Sequence, residues 1–285
     1  MAGDSAYNDD TMGSFKRELE GLIPNAFVHL VAFGGNQNND QASGFWGMVT
    51  KQIDTVCAEL KEVPELAHGF HAIGLSQGGL FLRGYVEQCN QPPIRNLVTL
   101  GAPHGGIFDT PACGDHDYFC KTFYGKFKQV VYTQHVQTNI IPGQYFKDPA
   151  RLDQYYQSST FLPAINNELE PRNATHKVRL TSLGHLVMVR YAEDEMVKPP
   201  LSSWFASLEL NRTVPLRESQ LYQEDWLGLR TLDENGQLHL VTFPGRHLEY
   251  NAALFARDIV PYLVQPIAQT WSWVTVLDAA MSLVF

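Results

Sequence analysis

The chain has 285 residues, which at about 150 per domain allows one large domain or two modest ones. Its 21 basic and 30 acidic residues leave a net charge of −9, which argues against a nucleic-acid surface and the clustered Lys and Arg it needs. With 44% apolar and 18% charged residues the chain can bury a real core, and no charge-free apolar run of about 20 residues marks a membrane span. The expectation is a soluble, acidic, globular protein.

In chain order, Ala26–Phe33 (AFVHLVAF) reads as a buried strand, and Phe45–Leu60 as a helix whose apolar positions recur at three and four residues. Gly69–Leu75 (GFHAIGL) is a strand that turns directly into a helix over Gln77–Gln88. Pro92-Pro93 breaks the chain, and Asn96–Leu100 (NLVTL) supplies another short strand. The stretch from Gly105 to Thr181 holds many aromatics and prolines but no clean strand, so a largely helical insertion over the sheet edge is expected. Strand pattern returns at His185–Tyr191. A hairpin is then expected from Leu227–Leu232 and Gln237–Phe243, because Asn235-Gly236 supplies the positive φ angles of a tight turn. A last helix is expected over Tyr250–Val260. Strands alternating with helices predict an α/β fold with a mostly parallel sheet covered on both faces.

The strongest chemical signal is Gly74-Leu75-Ser76-Gln77-Gly78, followed by Gly79. It fits G-x-S-x-G in the required setting, an apolar strand before and an amphipathic helix after. A sharp strand-to-helix corner leaves little room for side chains two residues either side, and the helix N-terminus aims N–H groups at the place where an oxyanion forms. The bland alternative is a glycine-rich turn whose serine only caps the helix. A nucleophilic serine needs a base, and the base an orienting carboxylate, in the chain order Ser, acid, His. His29, His68 and His71 precede Ser76 and fail that order. His247 is placed best, between the last strand and the last helix. His239 reads as an ordinary strand histidine, and His104 as a loop-shaping residue. For the acid, Glu193, Asp194 and Glu195 all hang at the end of the His185–Tyr191 strand, and spacing does not separate them.

The four cysteines, Cys57, Cys89, Cys113 and Cys120, permit two bridges in three connectivities. No C-x-x-C or H-E-x-x-H occurs, so neither a metal nor a cofactor is expected. Two N-glycosylation sequons, at Asn173 and Asn211, fit the secretory route, whereas Met1 opens onto Gly3-Asp4-Ser5 with no leader-like run.

The run Ile73–Arg83 (IGLSQGGLFLR), Pro92–Leu97 (PPIRNL), Arg217–Leu229 (RESQLYQEDWLGL) and His247-Leu248 resemble the lysosomal palmitoyl-protein thioesterases, from Met1 to about Leu263. The resemblance implies an α/β-hydrolase that removes long-chain acyl groups from the cysteine thioesters of lipidated proteins. It implies Ser76 as nucleophile, His247 as base and Asp194 as orienting acid, with backbone N–H groups of Gln77 and Ala2 as oxyanion donors. It further implies Cys57–Cys89 and Cys113–Cys120 bridges, a lysosomal or secreted location, and S-acylated proteins or acyl thioesters as substrates. Residues 1–106 and 182–263 would form the hydrolase core, and 107–181 an insertion forming the acyl groove, with Tyr145, Phe146, Tyr155, Tyr156, Phe161, Leu162 and Ile165 supplying its apolar content. Residues 264–285 would be an extension without an assigned role. Family members begin with a signal peptide and a strand ending in a His-Gly-x-Gly-Asp-Ser turn; this chain starts inside that turn, so a truncated N-terminus without the first strand is expected. A general lipase or carboxylesterase and a catalytically impaired lipid-binding relative are the competing readings.

Overall fold

The computed structural model describes residues 4–109, 125–209, 212–264 and 282–284. Six parallel strands form the main sheet in the order β1-β8-β2-β3-β4-β7: β1 Phe27–His29, β2 Phe70–Leu75, β3 Ile94–Leu100, β4 His185–Tyr191, β7 Leu238–Phe243 and β8 Ser282–Val284. β5 Ser207–Glu209 and β6 Arg212–Val214 make a separate antiparallel pair. β2, β3 and β4 are almost wholly buried, the near-continuous apolar run that a parallel strand covered on both faces requires. The fold is an α/β-hydrolase.

Helices cover both faces. One face carries α2 Gln37–Ser43, α3 Val49–Glu59 and α4 Gln77–Gln88, and the other α1 Met12–Leu22, α12 Ala252–Asp258 and α13 Val260–Leu263. In α3, Val49, Ile53, Val56 and Cys57 fall on one stripe and all are buried. α4 lies between that stripe and the insertion: a Cβ on its Gly84 would meet Ile53 Cδ1 at 2.6 Å and Phe161 Cζ at 3.3 Å. The Cys57–Cys89 bridge ties the end of α3 to the end of α4. Cys113 and Cys120 lie outside the described residues.

The described part of the insertion is a chain of short helices, α5 over 125–130, α6 Gln134–Asn139, α7 Leu152–Ser158, α8 Leu162–Ile165 and α9 Ala174–Leu180. Of the seven groove residues expected there, six are buried in the core cluster against α4, and only Tyr156 is exposed. These six pack as core because they close over a helix that is itself buried.

Three expectations change. The strand expected over residues 26–33 is confined to Phe27–His29, since the chain leaves the ladder and Phe33 N–H donates to Asp40. The expected hairpin does not form. Leu229–Glu234 is helical (α11, after the single turn α10 Gln220–Gln223), with Leu229 and Leu232 buried, and β7 pairs in parallel with β4. Asn235-Gly236 therefore ends a helix: Gly236, at φ 69°, and Gln237 donate back to the Asp233 and Leu232 carbonyls. Finally, the C-terminal extension has a place in the sheet, because β8 pairs in parallel with β1 on one side and β2 on the other.

Candidate active site

The corner between β2 and α4 is built by close backbone contact. Ser76 sits at φ 52°, ψ −124°, a conformation that costs energy for any residue with a side chain and is common where a site stores strain. Its N–H donates to the Leu100 carbonyl at 2.7 Å, and the next loop is pinned by Gly101 N–H to the Val189 carbonyl. A Cβ on Gly79 would lie 2.7 Å from Ala102 Cβ and 2.9 Å from Thr99 Cβ, so α4 docks on the end of β3 only through glycine. Gly78, the second glycine of the motif, faces open space.

The structure brings together three residues that are far apart in sequence. Ser76 Oγ lies 2.9 Å from His247 Nε2, and His247 Nδ1 lies 2.7 Å from Asp194 Oδ2. Asp194 Oδ1 accepts the N–H groups of Met196 and Val197 at 2.9 Å each. Its side chain is fully buried while Glu193 and Glu195 are exposed, which separates the three acids that sequence spacing left equal. With an acid that can only accept on Nδ1, the imidazole carries its proton there and offers Nε2 as a lone pair to the serine hydroxyl. The ring is also boxed in sterically: a Cβ on Gly101 would touch His247 Cε1 at 3.0 Å, and Tyr191 meets the ring edge-on. Such a constellation can deprotonate an alcohol during attack on a carbonyl.

The remaining candidates fall into place around it. Gln77 follows the serine at the first helical position, where backbone N–H groups have no partner within the helix. Its side chain spans from the Gly44 carbonyl to the Tyr145 hydroxyl. Ala2 and Asn211 lie outside the described residues, while Asn173 is exposed and caps α9. His239 bonds His185 at 2.9 Å, away from the serine.

His104 shapes a loop, as its sequence position suggested, through a network the sequence did not disclose. Fully buried, it accepts Arg83 Nε–H on Nδ1 at 3.1 Å and faces Thr99 Oγ1 from Nε2 at 2.9 Å. Because a guanidinium only donates, the proton sits on Nε2. Burial, with the Arg83 charge adding to it, holds this imidazole well below its ordinary pKa and neutral. Arg83 also bonds Glu87, the Ile165 carbonyl and Asn166, and lies over the Phe205 ring. Asp40 is a second residue without a motif: its carboxylate gathers Ser5 Oγ, Ala6 N–H and Phe33 N–H, fastening the N-terminal segment beside the site. Neither residue stands in a recognisable pattern: Arg83 interrupts an apolar run, while Asp40 sits unremarked among the largely polar residues 36–43.

Two cavities flank Leu75, the residue before the serine. One is walled by Val31, Phe33, Phe81 and Leu82, has Asp4 and Asp40 at its lining, and reaches Gln77 and Gly78. The other lies between Leu100, Tyr191, Leu248 and Tyr250 and carries Asp10 and Glu18 at its lining. No helix among the described residues is long and apolar enough to cross a membrane.

A family model described as palmitoyl protein thioesterase matches residues 1–247. The chain is 36% identical over 261 residues to palmitoyl-protein thioesterase 1 of Caenorhabditis elegans, covering 90% of this chain and 87% of that one. Palmitoyl-protein thioesterase 3 of Dictyostelium discoideum is 33% identical over 263 residues, covering 89% and 88%. The lysosomal thioesterase PPT2 homolog of Drosophila melanogaster is 31% identical over 266 residues, covering 90% and 86%. With a family match that spans most of its length, the chain belongs to the palmitoyl protein thioesterases.

Proposed function

We propose that this chain hydrolyses long-chain acyl thioesters on the cysteines of lipidated proteins, using Ser76 as nucleophile, His247 as general base and Asp194 as orienting acid. The observation that carries the reading is the continuous hydrogen-bond path from Ser76 Oγ through His247 to the buried Asp194. Family membership and the names of the relatives support the substrate class.

In the first step Ser76 Oγ attacks the thioester carbonyl as its proton passes to His247 Nε2. The negative charge that develops on the carbonyl oxygen is met by the Gln77 N–H at the start of α4, with Ala2 N–H as the second donor. Collapse expels the cysteine sulfur, which takes the proton from His247 Nε2 and leaves the imidazole neutral. A thiol of pKa about 8.5 needs little help to leave, so acylation is the easier half-reaction and the acyl-enzyme accumulates. Water, deprotonated by the same histidine, then attacks the acyl-serine, and the proton passes from His247 to Ser76 Oγ as the fatty acid leaves. Both cavities have carboxylates at their lining; the first, which reaches Gln77 and Gly78 and whose Asp40 is taken up by three hydrogen bonds, is the one we assign to the alkyl chain.

A lysosomal location, glycosylation at Asn173 and Asn211, and a second bridge between Cys113 and Cys120 belong to the same proposal. Comparison of a palmitoyl thioester with the palmitoyl oxygen ester tests the reaction class. The thioester is turned over faster, and Ser76→Ala abolishes both activities; an enzyme indifferent to sulfur is a general esterase.

A further inference from the structure

Charge is unevenly distributed along this chain. Residues 34–50 and 131–146 amount to 33 positions, where an 18% charged content would place about six Asp, Glu, Lys or Arg. They hold one, Asp40, and its buried carboxylate is taken up by three hydrogen bonds. The two segments meet in space. Trp46 bridges Ile140, Gly47 N–H donates to the Asn139 carbonyl, and Ile141 N–H donates to the Phe45 carbonyl. Within these segments Phe45 is 42% exposed and Trp46 61% exposed, on a backbone held from both sides. Both adjoin Ser43 and Gly44, which line the apolar cavity beside Ser76. Across that cavity the N-terminal segment contributes Asp4 to the lining, and exposed Asp9 and Asp10 follow it in the chain, carboxylates that the Phe45–Trp46 segment lacks.

We propose that Phe45 and Trp46 form a lip that seats on the interface of an uncharged, zwitterionic bilayer, so that an acyl chain passes from lipid to cavity without crossing water. This rests on the thioesterase reading of the same site. Three physical effects favour this contact. Large aromatic side chains, Trp above all, favour the boundary between water and hydrocarbon. Segments with no exposed charged side chain lose no ionic hydration of their own on contact with lipid. A molecule of net charge −9 gains nothing from anionic headgroups, so a neutral membrane is the surface it fits.

The test compares the full chain with a Phe45→Ser/Trp46→Ser double variant. It measures flotation with phosphatidylcholine vesicles, and turnover of a bilayer-embedded palmitoyl peptide against a water-soluble short-chain thioester. The double variant should lose vesicle binding and slow on the embedded substrate by about tenfold or more, while soluble turnover stays within about twofold. Brominated lipid should quench wild-type tryptophan fluorescence, and Trp46→Phe should remove that quenching without perturbing the fold. Wild-type protein that ignores vesicles, quenching that survives Trp46→Phe, or equal loss on both substrates overturns the lip. So does a patch that instead mediates self-association, seen as a sedimentation coefficient that falls in the double variant. If the wild type cleaves no soluble thioester, the functional reading fails, and vesicle binding still decides the lip.

Discussion

Gly74 and Gly79 touch across the corner that presents Ser76: a Cβ built on Gly74 would lie 2.3 Å from the Gly79 Cα and 2.5 Å from its nitrogen. The strand therefore approaches the helix more closely than any side chain permits, and that approach holds Ser76 at its positive φ. Gly74→Ala should abolish activity together with a large loss of stability, since the clash is with backbone. Gly78→Ala meets open space inside α4 and should raise the melting temperature by about 1–3 °C through helix propensity. Thermal unfolding of the two variants distinguishes a corner made by both motif glycines from one made by Gly74 and Gly79.

The buried carboxylate of Asp194 sets the histidine tautomer, so Asp194→Asn should cut kcat by about 10³–10⁴-fold while leaving the fold intact. Glu193→Gln and Glu195→Gln should stay within about twofold of wild type, because both side chains are exposed. Steady-state kinetics on one acyl thioester read all three.

Behind the site, burial lifts Glu87 to about 7, against the opposing pull of the Arg83 guanidinium 2.7 Å away. A carboxyl that binds its proton more tightly folded than unfolded contributes stability below its unfolded pKa, near 4.5, and loses it as pH rises through 7. Glu87→Gln removes this dependence, so its melting temperature relative to wild type should climb between pH 5 and pH 8. A difference that stays flat or falls over that range contradicts the assignment.

Arg83 uses its planar fork on four partners at once, so Arg83→Lys should cost about 3–5 kcal/mol by removing the guanidinium bonds to Glu87, His104 and Asn166 in the interior. Denaturant unfolding measures it.

The Cys57–Cys89 bridge closes a separation of 32 residues, for which chain entropy gives about 3–4 kcal/mol. The paired Cys57→Ala/Cys89→Ala variant should lose that much without a change in substrate preference, as neither sulfur approaches the site.

How much of this could be read from sequence depended on whether the feature is local. β4 and α4 match their expected spans, and the G-x-S-x-G corner was legible because its chemistry is contiguous. The pairing of Leu238–Phe243 with β4 was not, since Asn-Gly ends a helix as readily as it turns a hairpin, and only the parallel register distinguishes the two. The choice among Glu193, Asp194 and Glu195 depends on burial, which neighbouring acids in a turn do not reveal. Asp40 and the Arg83–His104 pair act across long sequence separations and carry no spacing signature. The place of Ser282–Val284 between β1 and β2 was hidden for the same reason.

The most direct measurement is rapid-quench mass spectrometry after mixing the chain with a palmitoyl-cysteine peptide. The expected result is a palmitoyl adduct on the peptide that contains Ser76, formed at least as fast as thiol is released and decaying with the steady-state rate. Thiol release without any acyl group on Ser76, or undiminished turnover by Ser76→Ala, would contradict it.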